Sequence, residues 1–215
     1  MKAEKINFDS LTAEQIGKLF PIRIVPYNPD WKILFEKEKA LITEVLGEKM
    51  ALGVEHIGST SIVGLAAKPT IDMMVEVSKL SDELKLYITR KLETIGYGNM
   101  YNSEKDNKMT FGKGYNESCA CVNAEELTSG KVSAEQNDKS YVCTQTYHVH
   151  IREKGDAPQD EIYFRDYLRR NADVCDEYAR LKYALAEKHR FNREDYTQAK
   201  TGFIRNCLKF LGLGA

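Results

Sequence analysis

Apolar residues in the first fifty positions recur at helical spacing in two segments. Residues 9–20 are predicted to form a short helix, because a Thr-x-x-Gln capping box stands near the start and a proline follows the end. A second helix is predicted over residues 29–47, with apolar positions at Trp31, Leu34, Phe35, Leu41, Ile42, Val45 and Leu46. Residues 22–25, between the two helices, are predicted to form a short strand.

Two apolar runs between residues 54 and 77 are separated by a turn of small residues. The first run ends at Gly58, and hydroxyl residues follow, which predicts a strand, a tight turn and the start of a helix at Ser59, Thr60 and Ser61. Alternation along the second run places a predicted core set on one strand face, namely Ile71, Met73, Val75 and Val77. The opposite face carries Asp72, Met74 and Glu76, so Asp72 is predicted to point toward whatever the turn holds.

The next segments add a helix, a strand and a long connection. Residues 81–95 are predicted to be helical, and residues 109–113 are predicted to form a strand. Residues 114–140 are polar and rich in small side chains, and a connection that long without clear structure is usually a mobile or functional loop.

The last third of the chain begins with a strong strand pattern and then becomes helical. Residues 141–152 alternate with a period of two, which places His148, His150 and Arg152 on one face of a strand. Three helices are predicted from apolar spacing around residues 163–168, 174–185 and 203–208.

Composition describes an ordinary globular protein of one domain. The chain has 215 residues, 42% hydrophobic and 29% charged, and we divide it into a helical extension (1–21), a core (22–157) and C-terminal helices (158–212). A formal net charge of −1 gives no global basic field, so nucleic acid is not the expected partner. The sequence shows neither an apolar run long enough to span a membrane nor a secretory segment, so a cytoplasmic location is expected.

The five cysteines are odd in number and scattered, which favours reduced thiols over a disulfide framework. Cys119-x-Cys121 has the spacing of a metal-binding pair, but a second close pair that would complete a zinc site is missing from the sequence. We therefore favour incidental or structural thiols.

The Gly58-Ser59 turn is the first candidate for binding chemistry. A helix start behind a small-residue turn presents unpaired N–H groups and attracts an anion such as phosphate. Turns of this composition also close many purely structural loops, so both interpretations stay open for the turn by itself.

The string around this turn resembles the signature of the GrpB (UPF0157) family. The matching residues are His56-Ile-Gly-Ser-Thr-Ser61, Gly64-Leu-Ala-Ala-Lys-Pro69 and Ile71-Asp72, and the resemblance extends over residues 22–210, interrupted by the loop at 114–140. That family resembles a branch of the nucleotidyltransferase superfamily, in which Gly-Ser precedes a strand carrying Asp-x-Asp or Asp-x-Glu. The resemblance implies an α+β fold with a nucleotidyltransferase-like core, a small mixed β-sheet flanked by helices, and a C-terminal helical bundle.

The same resemblance implies a function and a set of site residues. It implies binding of a nucleotide or nucleotide-containing cofactor, with a nucleoside triphosphate as ligand, and nucleotidyl transfer as the associated activity. A divalent cation, magnesium or manganese, would be held at Asp72. Phosphate groups would be bound by the turn and by the lysine that follows it, namely Gly58, Ser59, Thr60, Ser61 and Lys68. From their charge, Lys113 and Arg152 are further candidates for phosphate binding at the cleft.

The sequence departs from the superfamily pattern at the second acid. Met74 stands where that acid is expected, and Glu76 lies roughly 13 Å farther along the strand than Asp72, too far to share an ion. His148 and His150 stand on the later strand, where the superfamily often adds a third acid. Imidazole is a poor ligand for magnesium but suits zinc, manganese or iron.

Several interpretations of these residues stay open. His148 and His150 act as general base or phosphate contacts while Asp72 holds the cation, or all three bind a transition metal such as zinc in a hydrolase. Alternatively the chain is a non-catalytic binding or regulatory module on a decayed transferase site, or the histidines form a polar strand face satisfied by neighbours. All functional interpretations require that these side chains converge over the Gly58-Ser59 turn.

Two smaller alternatives concern residues near the turn. His56 either supports the turn by a hydrogen bond or is a buried structural histidine. Arg165 and Arg169, four positions apart on one helix, form either a solvated face or a phosphate clamp.

Overall fold

The structure, a computed structural model, describes residues 12–103, 108–115, 145–155 and 160–213. The strands are β1 (Gly53–Ile57), β2 (Thr70–Val77), β3 (Gly98–Ser103), β4 (Lys108–Lys113) and β5 (Thr146–Glu153). The helices are α1 (Ala13–Leu19), α2 (Asp30–Leu46), α3 (Asp82–Glu93), α4 (Asp160–Arg170), α5 (Ala172–Lys188) and α6 (Arg193–Phe210). The predicted α+β class, a small mixed sheet flanked by helices with a C-terminal helical bundle, is confirmed.

The strands form one sheet in the order β1-β2-β5-β4-β3. The central pair β2–β5 is parallel, and the other pairs are antiparallel. The parallel register sets Asp72 opposite His148 and Met74 opposite His150. Because side chains alternate across a strand, Asp72, His148 and His150 therefore share one face of the sheet.

The other face of the sheet carries the main hydrophobic core. The predicted core residues of β2 are fully buried, and they pack with Val149 and Ile151 of β5 against α2 and α3. Each of Ile71, Met73, Val75 and Val77 is 0% exposed. Burial of this apolar face contributes a large favourable free energy to folding and fixes which face of each strand points inward. It therefore also fixes the direction in which Asp72 points.

The bundle α4–α6 packs on the connection between β1 and β2. A second core joins Ile62 and Leu65 of that connection to Leu168 of α4 and Tyr178 of α5. Among the helices that the structure describes, none combines the length and apolar composition that crossing a membrane requires.

Three local predictions differ from the structure. Residues 22–25 do not form a strand, because only Val25 pairs, in a single bridge with Ala67. The helix predicted to start at Ser59 is one 3₁₀ turn, Ser59–Ser61, which ends because Ile62 adopts an extended backbone. Strand β3 is not predicted from the sequence, because its residues are mostly polar and do not alternate clearly. Such a composition is common in strands at the edge of a sheet, where β3 lies.

Other predicted elements agree with the structure where it describes them. The capping box of α1 is present at Thr12. The strand predicted over residues 141–152 corresponds to β5, which covers Thr146–Glu153, and residues 141–144 lie outside the described residues. The predicted loop beyond Tyr115 and the Cys119-x-Cys121 pair lie outside the described residues. Of the cysteines in the described part, Cys175 and Cys207 are free thiols.

A buried carboxylate lies at the edge of the main core. Glu38 of α2 is 7% exposed, and its Oε1 accepts hydrogen bonds from Lys113 Nζ at 2.7 Å and from the Tyr97 hydroxyl at 3.0 Å. The Lys113 ammonium also lies over the rings of Tyr97 and Tyr147. Burial and then the Glu38 carboxylate raise the pKa of Tyr97, so its hydroxyl stays a donor.

We predict that Lys113→Met lowers the free energy of unfolding by about 1–3 kcal/mol, because the buried Glu38 carboxylate loses its charged partner. Urea denaturation at neutral pH measures the change. The matched control is Lys37→Met, at an exposed position on the same helix as Glu38. Equal stability of the two variants would show that the ion pair does not stabilise the fold.

Candidate functional site

Three side chains from the central strands meet on the sheet face opposite the main core. The Oδ1 atom of Asp72 lies 3.1 Å from His148 Nδ1 and 3.8 Å from His150 Nε2. One donor atom from each residue lies within 4.8 Å of the others, a separation that suits a single metal ion. The structure thus brings together the carboxylate and both imidazoles, as the functional interpretations require.

The electrostatics of this group favour an ionised carboxylate. Burial alone would raise the pKa of Asp72, but the hydrogen bond from His148 and the nearby His150 imidazole outweigh it and hold the pKa well below its usual range. The side chains of Asp72, His148 and His150 are 27, 16 and 25% exposed, so an ion or a ligand can still reach them.

The ligand atoms of Asp72, His148 and His150 indicate which cation the site fits. Two imidazole nitrogens and one carboxylate oxygen suit zinc, manganese or iron, whereas magnesium prefers oxygen ligands. Met74, in place of a second strand acid, is only 3% exposed and offers no oxygen. The protein residues alone therefore fit a transition metal best, and magnesium fits if a ligand supplies further oxygen atoms.

The turn after β1 packs directly on the Asp72 carboxylate. Gly58 has φ +69° and ψ −177°, a backbone conformation open essentially to glycine alone. A Cβ atom at this position would lie 2.5 Å from Asp72 Oδ2. Glycine is therefore required twice, once for the backbone and once for the close approach to the carboxylate.

The hydroxyl groups of Thr60 and Ser61 hold the turn together. Ser61 Oγ donates to Gly58 O at 2.6 Å, and Thr60 Oγ1 donates to Thr70 O at 2.9 Å. Since the Thr60 hydrogen is used, the contact of 3.0 Å between Thr60 Oγ1 and His56 Nε2 needs a hydrogen on the imidazole. Burial lowers the pKa of His56 to about 4, so a neutral, buried His56 supports the turn.

Arg165 and Arg169 tie helix α4 to the same turn. Arg165 is 8% exposed and donates to Glu55 Oε2 at 2.8 Å and to His56 O at 2.9 Å. Arg169 donates to Ser61 O at 2.7 Å. Both guanidinium groups thus donate to protein oxygens of β1 and the turn, a structural role that neither interpretation of the two arginines predicted.

A cavity of about 580 Å³ lies between the sheet face and the C-terminal bundle. The sheet side contributes Gly58, Ser59, Asp72, His148 and His150. Helices α5 and α6 form the far wall with aromatic and basic residues, including Tyr178, Lys182, Tyr196, Lys200 and Arg205. The metal-binding candidates and the Gly58-Ser59 turn therefore line one common cavity.

Three lysines in this cavity, Lys68, Lys182 and Lys200, form what we call the lysine cluster. Lys182 is 2% exposed and donates to Ala66 O, and the ammonium groups of Lys68 and Lys200 lie over the Tyr196 ring at 5.6 and 4.3 Å. Burial and then nearby positive charges lower the pKa of Lys68 and of Lys182 to about 7. A bound anion would restore the charged form of each.

The lysine cluster is unusual because its three ammonium groups form no ion pair with the described part of the chain. In the described ranges, no carboxylate lies within 4.0 Å of the three ammonium groups. Of the three, only Lys68 is predicted from the sequence as a site residue. A signal for Lys182 existed, because it occupies a buried position four residues from both Tyr178 and Ala186 on α5.

The structure does not bring Lys113 or Arg152 to this cavity. Lys113 lies on the core face of the sheet, bound to Glu38, and Arg152 donates to Glu161 Oε1 at 2.7 Å near the end of β5. An acid that sequence reasoning missed, Asp160, also lines the cavity. Its Oδ1 atom is buried and lacks a hydrogen-bond partner among the described residues.

Comparisons with known proteins agree with the predicted family. A model of the GrpB protein family matches residues 21–209. The chain is 33% identical over 186 residues to glutamate-rich protein GrpB of Alkalihalophilus pseudofirmus. The alignment covers 86% of this chain and 92% of that protein. The crystal structure of conserved protein GrpB from Enterococcus faecalis aligns with a TM-score of 0.68 and 29% identity, over 87% of this chain and 96% of that chain.

A further solved structure aligns more weakly. The poly(U) polymerase Cid1 matches with a TM-score of 0.43 and 16% identity, over 76% of this chain and 44% of that chain.

We predict that Gly58→Ala lowers the free energy of unfolding by about 1–3 kcal/mol through backbone strain and additionally displaces the Asp72 carboxylate. Gly64→Ala is the matched control, since Gly64 also has a positive φ but a Cβ there would meet nothing within 4 Å. Urea denaturation and Mn²⁺ titration of both variants measure the two effects. Equal loss of stability with unchanged Mn²⁺ binding in both would contradict a constraining contact between the turn and Asp72.

Proposed function

The chain belongs to the GrpB family, and on this premise we propose that it binds a nucleotide or nucleotide-containing cofactor, with a nucleoside triphosphate as ligand, in the cavity described above. One observation carries the proposal. Asp72, His148 and His150, which could hold a metal ion, and the lysine cluster line a single cavity. A polyphosphate with a bound cation has the charges that both groups require.

The size and charge of the cavity support a nucleotide over a simple anion. Its volume of about 580 Å³ falls within the range of roughly 300–1,000 Å³ typical of small-molecule sites. Lysines that burial has made less basic gain most from a desolvated anion, because charge-assisted hydrogen bonds strengthen in a low-dielectric site. Phosphate binding is therefore expected to draw protons onto Lys68 and Lys182 near neutral pH.

In this proposal the residues have distinct roles. Asp72, His148 and His150 hold the divalent cation, which neutralises charge on the phosphates. Gly58 and Ser59 bring backbone and hydroxyl groups to the cavity, while Thr60 and Ser61 act by holding the turn. The lysine cluster binds the phosphate oxygens.

Nucleotidyl transfer is the activity we assign to this arrangement. This reaction needs a bound triphosphate and a base for the acceptor hydroxyl. His150 is the better candidate for the base if it does not bind the cation, since both nitrogens of His148 already have close partners. Asp160 is proposed as the second carboxylate, in place of the acid that the superfamily has at the position of Met74. Its unpartnered oxygen in the same cavity supports that role.

Two other functions each have an observation in their favour. The ligand set of one carboxylate and two imidazoles favours a transition-metal-dependent hydrolase that uses Asp72, His148 and His150. The buried Met74 favours a non-catalytic binding or regulatory module that retained the cavity. Metal content and the metal dependence of nucleotide binding separate these alternatives.

We predict that ATP, GTP, CTP or UTP raises the midpoint of thermal unfolding, and that Mg²⁺ or Mn²⁺ enlarges the rise. Ligand at a hundredfold excess over its Kd adds about 2.7 kcal/mol to the free energy of unfolding. Lys182→Met and Lys200→Met should abolish the nucleotide-dependent shift. The matched controls, Lys188→Met and Lys209→Met, change exposed positions on the same two helices and should keep it.

Further arms of this experiment decide between the candidate functions. Asp72→Asn should remove the cation-dependent part of the shift and leave the remainder. A stoichiometric transition metal in protein purified without chelator, together with no shift by any nucleotide, would favour the hydrolase. A nucleotide shift indifferent to every cation would favour the binding module, and the absence of any shift in the unaltered protein would contradict nucleotide binding.

A further inference from the structure

We infer that Tyr115 is a positioning residue for the candidate cation site, because it fixes the ring of His148 and determines which imidazole nitrogen faces Asp72. Its hydroxyl lies 2.7 Å from His148 Nε2, and the two rings stack with centroids 5.8 Å apart and an interplanar angle of 19°. The inference rests on the cation site of the proposed function but does not depend on a nucleotide.

The directions of the hydrogen bonds around His148 follow from the groups involved. A carboxylate oxygen only accepts hydrogen bonds, so His148 Nδ1, 3.1 Å from Asp72 Oδ1, carries the hydrogen. In a neutral imidazole Nε2 is then an acceptor, and the Tyr115 hydroxyl donates to it. Arg193 Nη1 donates in turn to the Tyr115 oxygen at 3.4 Å. The chain of bonds from Arg193 to Asp72 therefore runs in one direction.

Tyr115 is itself held from several sides. The Arg193 guanidinium lies over its ring at 5.4 Å, and the Phe20 ring meets it edge-on at 5.6 Å. Arg193 also donates from Nε and Nη2 to Phe20 O at 3.4 and 3.3 Å. Phe20, just after α1, and Arg193, at the start of α6, are distant in sequence and both contact Tyr115. They thus hold the tyrosine in place while its hydroxyl contacts His148.

A cation on His148 Nδ1 requires the hydrogen to be on Nε2 instead. A tyrosine hydroxyl suits both states, because its oxygen donates to a bare Nε2 and accepts from an Nε2–H group. The Thr110 hydroxyl, 3.4 Å from His150 Nδ1, offers the same choice to the second histidine. Partners of this kind orient metal-binding imidazoles, and their loss typically weakens metal binding 10–100-fold.

The test compares the unaltered protein, Tyr115→Phe and the matched control Tyr183→Phe, which changes an exposed tyrosine on α5. Co²⁺ alone, without nucleotide, is titrated and followed by its absorption bands. We expect the Kd for Co²⁺ to rise 10–100-fold in Tyr115→Phe and to stay within threefold in the control. An unchanged Kd in Tyr115→Phe would overturn the inference.

A second readout separates positioning from a general loss of structure. Long-range ¹H–¹⁵N correlation spectra of histidine-labelled protein report the tautomer of His148. We expect the Nδ1–H form without metal and the Nε2–H form with Zn²⁺, the latter protected from exchange only while the Tyr115 hydroxyl is present. An Nε2–H form in the metal-free protein would refute the bond directions. If the unaltered protein binds no metal at all, the proposed cation site fails, whereas the metal-free tautomer still tests the hydrogen bond from Tyr115.

Discussion

The parallel pairing of β2 with β5 is the constraint on which the site depends. Its register pairs Asp72 directly with His148, and the alternation of side chains brings His150 to the same face. The pairing is held because the opposite faces of both strands, including Met73 and Val149, are buried in the main core. A shift of register by one residue would expose that apolar face and bury the Asp72 carboxylate, so core packing and site geometry are enforced together.

Around this pair, several residues whose types suggest ligand binding serve to hold the Gly58-Ser59 turn. His56 and Thr60 close a hydrogen-bond chain that ends on the backbone of β2, and Arg165 and Arg169 anchor the turn to α4. The turn can therefore lie against Asp72 without a free loop between them. Buried polar groups of this kind stabilise a unique arrangement when each is satisfied, at a cost if a partner is removed.

Periodicity predicted the sheet face of Asp72 and of the two histidines, because a period of two assigns every strand residue to a side. The same rule could have placed Lys113 on the core face, since Met109 and Phe111 lie four and two positions before it on β4 and are buried in the core. The basic wall of the cavity was beyond local patterns: Lys182 and Lys200 reach the site only through the packing of helices more than a hundred residues from Asp72. The role of Tyr115 likewise depends on contacts from both ends of the chain.

The central claim is that the sheet face and the bundle bind one cation–polyphosphate ligand between them. Anomalous X-ray diffraction from crystals grown with Mn²⁺ and a non-hydrolysable ATP analogue tests this most directly. We expect a manganese peak within ~2.0–2.3 Å of Asp72 Oδ1 and of an imidazole nitrogen of His148 or His150, with phosphate density against Lys182 and Lys200. Manganese bound elsewhere, or an analogue outside the cavity, would contradict it.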